Sequence, residues 1–430
     1  MSSGISSKPE QAGHGAPFLS FSTVFNNYFV PDSLVDKMHT SEQEQNTYSV
    51  KKGDIFLTRT SETLDELGMS CVAIKDFSKA TFSGFVKRLR PLKTDFIYDK
   101  FMAFYLRSKL FRKTMTNNAI MTLRASLNED IFSYLYLHLP DFNSQKKIGD
   151  FLFLLNTKFE LNNRINTELE AMAKTIYDYW FVQFDFPDAK GKPYKTSGGK
   201  MVWNKELKQE IPEGWDSKNL NYFGDFKNGI NYDPSIAGDT IANIINVRNI
   251  SSSSLFIQKS TLDQICLQGE NVQKYLVSND DILIARSGIP GATRLMYEYN
   301  ENTIYCGFII RFRVSNPVYK NYLFFSIKNI EKASTAKSAG TIMQNINQES
   351  LNRLILIDPK DYLINKFNEF ITPIFNKMNN INNENQQLTS LRDWLLPMLM
   401  NGQVKVKDAE EETLLMAAEE KVTYQNKTNS

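Results

Sequence analysis

Histidine and cysteine are scarce in this chain, and their scarcity narrows the chemistry first. The 3 histidines, His14, His39 and His138, are too scattered to suggest a metal cluster or a Ser-His-Asp triad. The 3 cysteines, Cys71, Cys266 and Cys306, form no CxxC pair, so neither a disulfide framework nor a zinc site is indicated. A reducing compartment is the natural expectation. No run reaches the roughly eighteen apolar residues of a membrane span. The opening MSSGISSKPEQAGHG has neither the basic nor the apolar region of a signal peptide. A soluble, cytoplasmic chain with no membrane partner is expected.

Catalytic signatures are missing in the same way. The stretch SGIPGATR, Ser287 to Arg294, lacks the lysine and spacing of a phosphate-cradling loop and reads as a Gly-rich turn. Asn316-Pro317-Val318-Tyr319 approximates the Asn-Pro-Pro-Tyr motif with which adenine methyltransferases hold the target amino group. The second proline is absent, and no Gly-rich segment follows an early strand to bind S-adenosylmethionine. A turn ending the strand through Arg313 is the reading adopted. There is no paired-carboxylate-plus-lysine nuclease pattern and no helicase motif. No catalytic, metal or cofactor-binding residue is assigned, and the chain is expected not to be an enzyme by itself.

What the sequence does have is a repeat. The 430 residues, 42% hydrophobic and 23% charged, suffice for two or three domains. Tyr48 to Thr60, YSVKKGDIFLTRT, is matched by Tyr275 to Ser287, YLVSNDDILIARS. Each reads as a half-buried strand after an acidic turn, with an arginine just past the strand. FSGFVKRLR, Phe82 to Arg90, is matched by YCGFIIRFR, Tyr305 to Arg313, with the Gly-Phe pair and both arginines in register. LNEDIFSYLYLHLP, ending at Pro140, is matched by INQESLNRLILIDP, ending at Pro359. Three blocks in one order indicate duplication. The second copy opens IPEGWDSKNLNYFGDFKNGI, whereas SSGIS at the start of the first corresponds to about Lys227 to Asn231. About fifteen residues thus lack a counterpart. Either the start lies downstream of the true one, or the first domain lacks an edge strand and is less stable for it.

Each copy ends in a long helical pattern. From about Gln145 to Trp180 an apolar seam runs through Ile148, Leu152, Leu155, Phe159, Ile165, Leu169, Met172, Ile176 and Tyr179, interrupted by Asn162. From about Leu363 to Leu395 a second seam uses Phe367, Ile371, Ile374, Met378, Ile381, Leu388 and Leu395, interrupted by Asn385. Each helix would be ~50 Å long at 1.5 Å per residue, and so narrow a stripe needs a partner. An antiparallel pair within the chain is the economical solution. Pro373 should kink the second helix or mark its true start. Asp185 to Gly214, rich in Gly, Pro and Lys, reads as a loop or partly ordered connector. The tail beyond Gly402 is acidic and weakly patterned.

The formal charge of +2 hides an asymmetry. Phe82 to Arg124 holds ten Lys and Arg against two Asp and Glu, and Thr303 to Gln344 holds six against one. Basic stretches at equivalent places in two copies point to phosphate binding. The candidate DNA contacts are Arg59, Thr60 and Ser61 with Arg286, Ser287 and Gly288 at the strand ends. Lys87, Arg88, Arg90, Arg124, Arg311, Arg313 and Lys337 lie in the basic stretches. Arg248, Asn249, Gln344 and Asn345 carry groups that read guanine and adenine. For each, a surface ion pair or a helix-cap role is the competing reading.

These features together resemble the DNA specificity subunit of type I restriction-modification enzymes. The residues that carry the resemblance are the helical region from Gln145 into QFDFP, the stretch IPEGW from Ile211 to Trp215, and LRDWLLPMLMNGQV from Leu391 to Val404. It implies an α/β (α+β) architecture with an internal pseudo-twofold. Two globular target recognition domains with twisted sheets, 1–143 and 215–359, would alternate with helical spacers, 144–184 and 360–402. A connector, 185–214, and an acidic tail, 403–430, complete the chain. The resemblance also implies binding of a bipartite asymmetric site on double-stranded DNA, with the paired helices setting the gap. Two methylation and two restriction subunits would be the partners, and S-adenosylmethionine, ATP and Mg are expected on those partners, not on this chain. Other readings are a free-standing duplicated DNA-binding regulator, a methyltransferase using Asn316 to Tyr319, and a coiled-coil scaffold.

Overall fold

A computed structural model describes residues 1–6, 9–61, 66–93, 95–118, 120–121, 125–126, 136–232, 238–297, 302–335 and 346–407. The chain divides into two compact units. One comprises Met1–Glu160 with Gln387–Ser430, the other Leu161–Gln386.

In the first unit a four-stranded antiparallel sheet is built from β1 (Ser2–Ser3), β2 (Ile55–Thr58), β3 (Ser70–Val72) and β4 (Val86–Leu89), in the order β1-β4-β2-β3. A smaller sheet sets Ala12–Leu19 antiparallel to Lys37–Met38 and parallel to Thr81–Phe82. The first sheet is covered on both faces. Ile55 and Leu57 enter a core with Phe101, Phe104 and Leu152, while Phe56 enters another with Leu19, Val24 and Phe82. The sequence pattern suggested a half-buried strand. The run Ile-Phe-Leu is instead apolar on both sides, which is the signature of a strand with cover on each face.

The second unit repeats this plan strand for strand. β5 (Gly224–Asn228), β6 (Asp281–Ala285), β7 (Thr293–Leu295) and β8 (Ile309–Val314) pair in the order β5-β8-β6-β7. Its smaller sheet sets Thr240–Ile245 antiparallel to Asp263–Leu267 and parallel to Thr303–Tyr305. Ile282 and Ile284 face one core, Leu283 and Ala285 another. The duplication is therefore one of fold as well as of sequence.

The strand register aligns the two copies. Ser2 pairs with Arg88 as Lys227 pairs with Arg311. The glycine that follows is required in both. A Cβ on Gly4 would sit 2.1 Å from the Phe82 carbonyl oxygen, and one on Gly229 2.2 Å from that of Cys306. The copies differ at one edge. In the second unit Asp216–Asn219 pairs with Ile355–Asp358. The corresponding stretch of the first unit, Tyr136–Leu139, lies in no strand, and Tyr136 is 84% exposed.

Two long helices run through the chain. α1 (Phe142–Tyr177) continues into a wider π turn, Asp178–Val182, and α2 (Asp361–Met400) passes through Pro373. Pro373 therefore does not mark the start, which lies twelve residues earlier. Within the second unit the two helices run antiparallel, with Asn162 meeting Asn385, Asn166 meeting Asn382, and Trp180 against Phe367. Within the first unit Ile148 and Leu152 share a core with Leu396, Leu399 and Met400. The buried seam at the end of α1 uses Ala173, Tyr177 and Trp180, leaving Met172 and Tyr179 exposed. A helix of 3.6 residues per turn drifts off a 3.5-residue stripe, and the seam moves with it. The segment read as a connector contains a hairpin, Met201–Asn204 with Gln209–Pro212, and Phe186 stacks on both Tyr194 and Trp215. Among the described residues no helix is long and apolar enough to cross a membrane.

Candidate nucleic-acid interface

β2 and β6 end at equivalent places, and each delivers an arginine to its sheet's rim. Arg59 follows β2 and is exposed. Its backbone N–H donates to the carbonyl of Phe85, 2.9 Å away, in the turn that leads into β4. Arg286 follows β6, and its N–H donates to the carbonyl of Phe308 at the same distance. Its guanidinium also donates to the Gly307 carbonyl at 3.0 Å and is half-buried. Ser287 and Gly288 come next, Ser287 half-buried and Gly288 exposed with a φ of +78° that favours glycine. Thr60–Ser61 forms a short strand paired with Ala125–Ser126.

Other candidates have partners inside the fold. Arg88 donates to the Ser49 carbonyl at 2.6 Å and lies over the Phe82 ring, and burial lowers its pKa. Arg90 and Arg313 each grip a fully buried carboxylate, Asp54 and Asp281 respectively. Those hydrogen bonds push both guanidinium pKa values higher still. Arg311 is 7% exposed and pairs with Asp225. Lys87 is nearly buried on β4. Arg248 pairs with Asp263, while Asn249 is buried, accepts from the Asn246 N–H at 2.7 Å and donates to the Thr261 carbonyl at 2.7 Å. Asn249 thus closes a capping box on the helix Val247–Ser252. Arg124, Lys337, Gln344 and Asn345 lie outside the described residues.

The geometry divides the candidates. Arg59 stands at a strand end of the first unit, and Arg286, Ser287 and Gly288 at a strand end of the second. Arg88, Arg90, Arg248, Asn249, Arg311 and Arg313 have their polar groups engaged within their own unit. Two further residues were not singled out in the sequence, Phe85 and Phe308. Both sit at turn tips beside the arginines and are 65% and 60% exposed. The signal for them was present, since the Gly-Phe pair occurs in both copies. Among the described residues no group of histidine, cysteine or carboxylate side chains could hold a metal ion.

Residues 5–171 match the family described as the type I restriction modification DNA specificity domain. The match takes in the first copy and most of α1. It is 25% identical over 333 residues to the specificity subunit of the type I restriction enzyme HindI from Haemophilus influenzae, spanning 64% of this chain and 70% of that one. It is 22% identical over 364 residues to the MjaIX specificity subunit from Methanocaldococcus jannaschii, spanning 83% of this chain and 79% of that one. In fold it resembles the type I restriction-modification S subunit from M. genitalium, with a TM-score of 0.53 at 13% identity over 93% of this chain and 92% of that one. The mixed helix-and-sheet fold is therefore similar to the fold of that structure.

Proposed function

We propose that this chain reads DNA sequence for a type I restriction-modification complex in the cytoplasm and performs no chemistry itself. The carrying observation is the duplicated sheet whose rim presents an arginine beside an exposed aromatic ring, once in each unit. The two rims are alike in plan and unlike in detail. Arg59 is followed by Thr60, Arg286 by Ser287 and a loop with two positive-φ glycines, Gly288 and Gly291. Similar frames with different contact groups suit a target of two unlike halves. Residues 1–143 and 215–359 would be the two readers, and the long helices would supply the docking surfaces for two methylation and two restriction subunits. S-adenosylmethionine, ATP and Mg would act on those partners. The likeness of residues 5–171 to the specificity-domain family, and of the chain to two specificity subunits, supports this reading.

The test is to map adenine methylation in the host genome with and without the gene. A bipartite methyladenine motif that disappears with the gene is the expected outcome. Loss of the gene with no change in methylation, but with altered transcription, would favour a free-standing regulator instead.

A further inference from the structure

Phe85 and Phe308 occupy the same turn in the two copies. In each, a hydrogen bond of 2.9 Å closes the turn, Val86 N–H to Ser83 carbonyl and Ile309 N–H to Cys306 carbonyl. The preceding glycine donates at 2.7 Å to an early backbone carbonyl, Gly84 to Ile5 and Gly307 to Ile230. The aromatic residue's own carbonyl takes the arginine N–H. The backbone beneath each ring is thus held on three sides, whereas the rings themselves are 65% and 60% exposed. Among the described residues neither ring belongs to an apolar core. A single exposed apolar side chain needs no explanation. Here the flanking residues differ between the copies, Ser83 against Cys306 and Val86 against Ile309, yet the exposed phenylalanine is the same. The same residue thus stands at the same exposed place in both copies.

We infer that Phe85 and Phe308 are base-contacting residues, each meeting an apolar group on a base edge while the adjacent arginine holds the backbone. This rests on the DNA-reading proposal above. The matching chemistry on DNA is the thymine methyl, the one apolar group displayed in the major groove. An aromatic ring on a rigid turn can reach it at little entropic cost, because its two side-chain torsions are all that must be fixed. Phosphate contact by Arg59 or Arg286 is sequence-blind. The ring adds what a phosphate contact cannot, a preference between base pairs.

The experiment uses the full chain co-purified with its methylation subunits and duplexes enriched by the wild-type complex from a random-sequence library. Phe85→Ala and Phe308→Ala should each weaken binding of the enriched duplex about tenfold, without changing the dependence on salt or the affinity for random duplex. Arg59→Ala should weaken both and lower the salt slope by about 1. Renewed selection with Phe308→Ala should relax one half of the site only. Melting temperatures should match wild type, and Phe85→Leu should recover part of the loss. The inference is overturned if both alanine variants bind the enriched duplex as wild type does while Arg59→Ala is impaired. It is also overturned if they bind DNA normally but lose the methylation subunits, since the rings would then face protein. Failure of the wild-type complex to enrich any sequence would strike the DNA reading itself and remove both.

Discussion

Asp281 receives the Arg313 guanidinium on both carboxylate oxygens, from Nε and Nη2 at 2.7 Å each, and Asp54 receives Arg90 in the same way at 2.6 and 2.7 Å. The surroundings match too. Asp54 accepts the Lys51 N–H at 2.7 Å and Asp281 that of Ser278 at 2.7 Å. Arg90 reaches the Ser49 carbonyl and Arg313 the Leu276 carbonyl, both at 3.2 Å. Each carboxylate is fully buried, and each arginine side chain is 38% exposed. The pair joins the turn before the central strand to the neighbouring strand's end, at the opposite end of the strand from Arg59 and Arg286.

Removing the arginine strands a buried charge. Arg313→Met should therefore destabilise the second unit by about 2–4 kcal/mol, toward the lower end of the range for broken buried pairs because the guanidinium reaches solvent. Replacing both partners with apolar residues should cost less than the single change. Denaturant unfolding, with hydrogen exchange followed across β6 and β8, reads the effect. If Arg313 instead spends its charge on phosphate, the variant would keep its stability and lower the salt slope of DNA binding.

The asparagines of the helix seam invite a second test. Asn162 is 1% exposed and donates to Asn385 Oδ1 at 2.9 Å and to Glu384 at 2.8 Å, while Asn385 donates to Asn163 at 2.9 Å. Asn166 donates to Asn382 at 2.8 Å. A buried amide pair such as Asn162 with Asn385 fixes the register of paired helices better than an unbroken apolar stripe does. Asn162→Leu should cost about 1–3 kcal/mol by leaving Asn385 Oδ1 without its donor. Asn162→Leu with Asn385→Leu should recover most of that loss, so a double-mutant cycle gives a coupling of opposite sign to the single losses. Additive losses would mean that the amides act independently.

Much of this was legible in the sequence because it is periodic or repeated. The 3-4 spacing gave both helices, and the repeat gave the equivalence of Arg88 with Arg311 and of Arg90 with Arg313. What periodicity does not carry is which polar groups meet. Asp54 and Arg90 are 36 residues apart, and only the paired strands bring them together. Arg88 and Arg311 looked like solvent-facing charge because composition cannot distinguish a cation aimed at water from one aimed at a carbonyl or carboxylate, whereas Arg248 forms the exposed ion pair its surroundings allow. Arg107, inside the same basic stretch, shows the extreme case. It donates to the carbonyls of Ser70, Val24, Phe25 and Asn27 at 2.7–2.9 Å. Phe85 and Phe308 were overlooked for the opposite reason, since an apolar residue is assumed to face a core.

The three thiols should separate cleanly by reactivity. Cys71 is fully buried, and burial pushes its thiol up to about 12 against the weak opposing pull of Arg107. Burial likewise raises Cys306, with backbone N–H groups opposing it. Cys266 is exposed. The thiolate is the nucleophile, so a raised pKa and lack of access act in the same direction. At pH 8 a chromogenic disulfide reagent should titrate one thiol per native chain quickly and all three after denaturation. Cys266→Ser should abolish the fast phase without changing the denatured count by more than that one thiol. A fast phase that persists in Cys266→Ser would show that Cys71 or Cys306 is reached in the native state, and that a core around β3 or the turn before β8 opens on the timescale of the reaction.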